Sequence, residues 1–328
     1  MIPIIYANRA LGILGKFILN KPEIEHWYLP ANICFSVPFL FLNLNKKIQF
    51  YDFGFDTSII LNTLQENKTT NCGVLLFDYY GKSWTEEQVK EIKPFVNCVI
   101  QDACLSIPTI ETNKQIAADL LIYSTGKGKV VDIGSGAIGY TSHLEDALYI
   151  KNNLENTGSE NKTYLELDRY WKSIISNKDV FDLNRVKNVS WVDYGNNTIT
   201  ENYPKDVILE RDKIIKHKTT INDLYSNLIN KELHWNIYAN NWRFNLWINN
   251  ATELITEIFN HNLFASRHYP DVSHFLKIEN TLPLPKAIKV EKHVVNLFND
   301  FHITEKQAEE CALLVNKLFH QNKIQPVS

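Results

Sequence analysis

The sequence predicts an α/β fold with a mainly parallel central sheet, helices on both faces of that sheet, and a smaller C-terminal α+β domain. The first half alternates short apolar runs with amphipathic stretches, the pattern of parallel strands joined by helices. All 12 glycines lie between Gly12 and Gly195, so the C-terminal part makes no use of the backbone freedom that glycine allows. A chain of 328 residues is long enough for roughly two domains of about 150 residues each.

The apolar runs of the first half are expected to form the sheet, because they are rich in residues that favour buried strands. These predicted strands are residues 26–31, 47–53, 73–79, 97–101, 118–124 and 137–141. Residues 57–66 and 85–95 have the spacing of connecting helices. Ligands of such sheets bind at the carboxyl ends of the strands, so we expect a site just after these runs.

The second half is predicted to begin with a long amphipathic helix over residues 205–233. This helix links a large domain, residues 1–204, to a small domain, residues 205–328. The polar segment before it contains a further helix, at 164–176. The small domain is expected to hold a strand at 242–248, a helix at 251–262, a short strand near 294–297, and a final helix from Thr304, with Thr304 and Gln307 forming a capping box.

Charge and cysteine usage exclude several classes of protein. A net charge of −3 offers no long-range attraction to nucleic acid or to an anionic membrane. The longest apolar stretch, residues 33–44, is shorter than the ~20 residues of a membrane-spanning helix. The N-terminus has no basic leader, so we expect a cytoplasmic protein. The 5 cysteines are odd in number and form no C-x-x-C pair, which argues against a disulfide framework and a zinc site.

A glycine-rich segment at residues 122–137 is the first candidate for chemistry. It follows a predicted strand and contains Ser124, Lys127 and Lys129 among closely spaced glycines. It is not a Walker A loop, because Val130 follows Lys129 where Ser or Thr is needed. A dinucleotide fingerprint also fails, because a strand rather than a helix is predicted to follow. The alternative is a flexible basic hairpin.

Asp102 lies directly after the predicted strand at residues 97–101. A lone Asp in that position more often caps a helix. Together with a lysine after a later strand, however, it suggests pyridoxal phosphate. That cofactor needs a lysine for its Schiff base and a carboxylate to keep the pyridine nitrogen protonated. It also needs an anion-binding surface for its phosphate, such as a helix N-terminus.

Several segments, taken in order, resemble the DegT/StrS-type aminotransferases. This is a fold type I pyridoxal-phosphate family that includes many sugar aminotransferases. The similarity is collinear over nearly the whole chain and therefore implies the fold type I PLP-transferase-like architecture. The segments are YLPANICFSV (28–37), KIQFYD (47–52), GVLLFDYYG (73–81), VIQDAC (99–104), STGKGK (124–129) with GSGAI (134–138), WRF (242–244) and SRHYP (266–270).

The resemblance implies roles for particular residues. Lys129 would form the Schiff base, because the family's lysine lies five residues after its serine, and 124 + 5 = 129. Asp102 would pair with the pyridine nitrogen. Ser124 would contact the phosphate, together with the backbone at Asn8 and Arg9. Lys127 is the rival lysine; otherwise it is a phosphate-side or solvent-exposed residue.

Further positions of the cofactor site are less closely matched. Cys34 and Phe35 are nearest to the position that stacks on the cofactor ring, and Cys104 lies beside the aspartate. Leu105 stands where the family usually has Gln or His. No convincing match to the family's partner-subunit segment occurs between residues 164 and 203.

Four residues of the predicted small domain are candidates for substrate binding: Arg243, Arg267, His268 and Tyr269. One of the two arginines could pair with the carboxylate of an amino acid. The alternative for His268 is a solvated loop residue.

The function that the resemblance implies is an aminotransferase with pyridoxal 5′-phosphate as cofactor. It would move an amino group from an amino acid, with glutamate as the expected donor, to a keto acceptor, a nucleotide-linked keto-sugar. The family also implies a homodimer with sites near the subunit interface. Two alternatives stay open. One is a pyridoxal-phosphate enzyme of another type, a dehydratase, lyase or non-sugar aminotransferase. The other is a catalytically degenerate dimeric binding protein of the same fold.

Overall fold

The large sheet has the mostly parallel arrangement that the sequence predicts. The computed structural model describes residues 2–67, 71–112, 114–155, 162–177, 179–186, 199–235, 242–278 and 282–327. The strands are β1 (Ile5–Ala7), β2 (His26–Pro30), β3 (Lys47–Tyr51), β4 (Cys72–Phe77), β5 (Cys98–Asp102), β6 (Leu120–Ser124) and β7 (Ala137–Thr141). Their order in this 7-stranded sheet is β1-β7-β6-β5-β4-β2-β3. Strands β2 to β6 run parallel, and β7 is antiparallel to both β6 and β1.

Helices cover both faces of this sheet, as predicted. They are α1 (Ala10–Leu19), α2 (Ser36–Asn43), α3 (Thr57–Asn67), α4 (Glu86–Ile92), α5 (Leu144–Asn153), α6 (Lys162–Asn177) and α7 (Tyr203–Leu228). Alternate residues of β6 show the two faces. Leu120 and Ile122 belong to the core formed with α1 and α2, whereas Leu121 and Tyr123 belong to the core formed with α7. Side chains of a strand alternate between faces, so helices pack on each side.

Helix α7 contributes to two hydrophobic cores. Val207 and Ile214 pack against the large sheet, and Ile221 and Tyr225 pack in the core around a second sheet. The helix ends at Leu228, earlier than the predicted 233, and Asn230 then accepts a hydrogen bond from the Glu232 N–H and caps a short 3-10 turn. The division into domains at residue 204 stays a prediction.

The second sheet has the order β11-β8-β10-β9 and antiparallel pairings. Its strands are β8 (Phe244–Asn249), β9 (Ala265–Ser266), β10 (Val294–Leu297) and β11 (Gln325–Pro326). The helices of this part of the chain are α8 (Ala251–Asn260), α9 (Ser273–Leu276), α10 (Pro285–His293) and α11 (Glu305–His320). The predicted capping box is confirmed, because Thr304 Oγ1 accepts from Gln307 N at 3.2 Å and Gln307 Oε1 accepts from Thr304 N at 3.0 Å. Within the described part of the chain, no helix combines the length and apolar character needed to cross a membrane.

Asp78 follows β4 and is a fully buried carboxylate with a complete set of donors. It accepts hydrogen bonds from Ser83 Oγ, Ser106 Oγ, Gln101 Nε2 and the Trp84 N–H. Burial raises the pKa of Asp78 to about 6, and these hydrogen bonds act in the opposite direction. Protonation of Asp78 is therefore linked to folding.

We expect Asp78→Asn to remove one component of the pH dependence of stability. The raised pKa means that Asp78 stabilises the native state fully below its ordinary pKa of 3.8, and this stabilisation is lost as the pH rises through about 6. The component amounts to about 3 kcal/mol. Urea unfolding of both proteins between about pH 3 and 7.5 measures it. Glu86→Gln, an exposed change on α4, is the control; parallel pH curves for wild type and Asp78→Asn would contradict the expectation.

Candidate active site

A cavity of about 290 Å³ lies at the carboxyl ends of the parallel strands. Phe77 from β4, Asp102 from β5 and Ser124 from β6 form its floor, and the first residues of α1 form part of its wall. This is the edge at which the sequence predicts a site, because all these strands run in the same direction.

Asp102 is the buried acid of the cavity. It is the last residue of β5 and is 3% exposed, and its Oδ1 accepts a hydrogen bond from the Cys104 N–H at 3.0 Å. Burial raises the pKa of Asp102, while the hydrogen bonds from Cys104 and the charge of Lys129 lower it. A carboxylate in this position can hold a protonated nitrogen of a ligand in the cavity.

Both predicted lysines reach the cavity. Lys127 and Lys129 line it together with Ser124. Lys129 is close enough to the buried acid for its charge to act on Asp102, and the same charge acts on Cys104 and Tyr164. Both lysines therefore lie at the site. The electrostatic interaction with Asp102 favours Lys129 over Lys127 as the lysine that would attach a cofactor.

The loop that carries the lysines is organised by Asp132, a residue that the sequence analysis missed. Its Oδ2 accepts from the Gly128 N–H at 2.7 Å and its Oδ1 accepts from the Gly134 N–H at 2.9 Å. An Asp close to glycines is a common turn-forming residue, and that signal could have identified it. Gly136, at φ +108°, ends the loop; a Cβ there would lie 2.4 Å from Tyr203 Cε2, so a side chain cannot be accommodated.

The cavity wall includes groups suited to an anion. Asn8 and Arg9, directly before α1, and Ser36, the first residue of α2, line the cavity, as does Ser124. Free N–H groups and the helix dipole favour negative charge at helix N-termini. The Arg9 guanidinium lies 3.9 Å from the ring centre of Tyr164, which also lines the cavity. Tyr164 comes from α6, and no local pattern in the sequence indicated this contact.

The two positions proposed for ring stacking differ in their placement. Cys34 lines the cavity, and so does Cys104. Phe35 is not among the described residues of the cavity wall, and its role in ring stacking stays a prediction. Its ring stacks on Trp171 with centres 5.0 Å apart and packs against Phe39, because the residue directly before α2 faces the contact between α2 and α6.

Of the substrate candidates, Tyr269 lines the cavity, whereas the two arginines are not among the described residues of its wall. Arg243 is buried and forms an ion pair with Asp300, with Nη1 2.6 Å from Oδ2. Arg267 donates to Thr252 Oγ1 at 2.8 Å. The substrate roles of the two arginines stay predictions.

His268 is packed rather than solvated. Its ring lies 5.3 Å from Trp242 and 5.0 Å from Tyr269, measured between ring centres. Burial, with the charges of Arg243 and Lys129, lowers the pKa of His268 to about 4. The imidazole is therefore neutral at physiological pH. His268 is not among the described residues of the cavity wall, and its role as a substrate contact stays a prediction.

A second cavity, of about 490 Å³, adjoins the first and shares Lys127, Lys129 and Gly134 with it. It lies between the lysine loop, α7 and the turn at residues 300–302, and Glu210 and His302 supply polar groups to its wall. The lysine loop thus lies between the two cavities.

The residues of the first cavity fit pyridoxal phosphate. The donor set combines a buried carboxylate, lysines, and a hydroxyl beside helix N-termini, which are the groups that the pyridine nitrogen, the aldehyde and the phosphate need. Leu105 is buried in the core at 1% exposure, so the position where the family has Gln or His supplies no hydrogen bond here.

No family model matches the chain, and no curated protein is matched either. Solved structures match over nearly its whole length. A DegT/DnrJ/EryC1/StrS aminotransferase from Brucella abortus is 11% identical, with a TM-score of 0.70 over 96% of this chain and 85% of that one. PseC of Helicobacter pylori, an aminotransferase involved in the biosynthesis of pseudoaminic acid, is 14% identical, with a TM-score of 0.71 over 97% and 87%. DesI, solved in the presence of its TDP-sugar product, is 12% identical, with a TM-score of 0.72 over 98% and 81%. At these identities the likeness confirms the predicted fold.

Proposed function

We propose that this chain is a pyridoxal-phosphate-dependent aminotransferase that moves an amino group from an amino acid, glutamate, to a nucleotide-linked keto-sugar. One observation carries the proposal: Asp102, Lys129 and Ser124 meet in one cavity of a fold shared with aminotransferases. Fold alone does not fix function, so the proposal rests on this combination of side chains.

The cofactor would be held by groups at both ends of the cavity. Asp102 would keep a proton on the pyridine nitrogen, and the α1 N-terminus with Ser124 would bind the phosphate. When bound, pyridoxal phosphate supplies an electron sink for the amino-acid carbon. The Cys34 thiol and the Tyr269 ring would border the cofactor.

Lys129 would serve both as the attachment point and as the base. Its amine lines the cavity close enough to Asp102 to lower the pKa of that carboxyl. Its free amine would act as the general base that takes the proton from the α-carbon of the amino acid.

Two observations support a nucleotide-linked keto-sugar as the acceptor. PseC is an aminotransferase of pseudoaminic acid biosynthesis, and DesI has a TDP-sugar product. In this chain, the second cavity beside Lys129 offers room for a larger polar molecule, whose hydroxyls could bond to Glu210 and His302. A homodimer, as in the resembling family, is part of the proposal, and sedimentation of the purified protein would test it.

A second candidate, a catalytically degenerate dimeric binding protein, is favoured by Leu105. This side chain is buried in the core. It stands where the resembling family has a Gln or His that hydrogen-bonds to the cofactor. Such a protein could keep the fold and the ligand cavity without turnover.

Purified protein mixed with pyridoxal phosphate tests the proposal. We expect visible absorbance, and borohydride reduction should then lock the cofactor onto Lys129. Adding glutamate should replace the visible band by a pyridoxamine spectrum, and a nucleotide-linked keto-sugar should restore it. Protein that stays colourless would contradict the aminotransferase and also a pyridoxal-phosphate enzyme of another type. A band that no amino donor converts would favour the binding protein, and a product formed by loss of water or ammonia would indicate a dehydratase or lyase.

A further inference from the structure

Gly128 lies between the two lysines, and side chains hold its peptide groups on two sides. Its N–H donates to Asp132 Oδ2 at 2.7 Å, and its carbonyl accepts from Trp242 Nε1, also at 2.7 Å. Asp132 belongs to the same loop, whereas Trp242 precedes β8 of the second sheet. The lysine loop is therefore fastened to a distant part of the chain at the residue between Lys127 and Lys129.

The backbone conformation of Gly128 shows why these hydrogen bonds matter for the loop. Its φ is +74°, and no heavy atom lies within 4 Å of a Cβ built there. The space on the side where a side chain would lie is open. Together with the turn hydrogen bond from the Lys129 N–H to the Gly126 carbonyl at 3.2 Å, the two side-chain hydrogen bonds hold the peptide groups that set the directions of Lys127 and Lys129.

Trp242 is itself firmly held. It is 4% exposed, and its carbonyl accepts from Lys218 Nζ at 3.0 Å and from Arg243 Nη1 at 3.3 Å. Its ring lies nearly parallel to that of Tyr269, at 12° with centres 6.3 Å apart. The indole N–H is thus a fixed donor, and the same ring supports a residue of the cavity wall.

We propose that Trp242 is a positioning residue that, together with Asp132, presents Lys129 rather than Lys127 to the aldehyde of pyridoxal phosphate. This inference rests on the proposed function. It names a residue outside the cavity wall that decides which of two neighbouring lysines becomes attached to the cofactor.

The test maps the lysine that borohydride fixes to pyridoxal phosphate. Trp242→Phe keeps an aromatic ring and removes the N–H. Wild type should carry the label on Lys129, and Trp242→Phe should distribute it between Lys129 and Lys127, with trapping on Lys129 reduced roughly tenfold for one lost hydrogen bond. Peptide mass mapping reads the labelled position directly, and a merely structural role of Trp242 would not move it.

Two further variants make the result decisive. Asp132→Asn weakens the hydrogen bond that the Gly128 N–H donates within the loop. It should therefore also redistribute the label, even if Trp242→Phe folds poorly. Trp247→Phe is the matched control, because Trp247 stacks on Trp235 with centres 4.7 Å apart and belongs to β8; its label should stay on Lys129.

The outcomes separate the two proposals. Wild type labelled on Lys129, with the same pattern and yield in Trp242→Phe and Asp132→Asn, overturns the positioning role alone. Wild type labelled on Lys127 also overturns it. Wild type with no label on either lysine overturns the proposed function and the positioning role together.

Discussion

Replacing Lys129 by alanine is expected to abolish covalent attachment of pyridoxal phosphate and to lower transamination by on the order of 10⁴-fold, the upper range for losing a catalytic acid–base group. The side chain lines the cavity and acts electrostatically on Asp102. Alanine removes both the nucleophile and the base without adding volume. Absorbance titration with the cofactor, borohydride trapping and a single-turnover assay with glutamate measure the loss.

Lys127→Ala is the matched comparison, because Lys127 lines the same cavity on the other side of Gly128. It should still trap the cofactor on Lys129, with weaker retention because a cation near the phosphate is lost. If Lys129→Ala remains coloured and Lys127→Ala does not, the roles of the two lysines are reversed.

Replacing Asp102 by asparagine is expected to weaken cofactor binding and transamination by on the order of 10²–10³-fold, the range for losing one partner of a buried charge pair. The amide oxygen can still accept the Cys104 N–H bond that Oδ1 now accepts at 3.0 Å, so the local structure should persist. What is lost is the negative charge that would keep the pyridine nitrogen protonated. Equilibrium binding of the cofactor and the rate of its conversion by glutamate are the measurements.

Asp78→Asn is a demanding control for this effect. Asp78 is also buried, at the carboxyl end of the neighbouring strand, but it does not line the described cavity. Its Oδ2 accepts from the Ser83 and Ser106 hydroxyls. Its variant should keep cofactor affinity close to wild type. Equal losses in both variants would mean that Asp102 acts through stability rather than through the ring nitrogen.

Local pattern was sufficient for the parts of this protein that depend on neighbours in sequence. Apolar runs mark strands β2 to β7 of the large sheet within one or two residues, although the edge strand β1 was not predicted, and the Thr304–Gln307 capping box forms as predicted. Asp102 and Lys129 could be expected to lie together because parallel strands end at one edge of the sheet. These features follow from periodicity, from capping and from strand direction.

The sequence by itself therefore determined the strand pattern, the predicted fold and the pair of residues at the centre of the site. Only the tertiary structure decided which groups surround that pair. In that structure Phe35 stacks on Trp171, and Arg243 forms a buried ion pair with Asp300. The tertiary structure also joined Trp242 to Gly128 across 114 positions of the chain. Contacts of this kind form between segments that no local pattern relates, because packing of whole elements, rather than the preference of either residue, brings their atoms together.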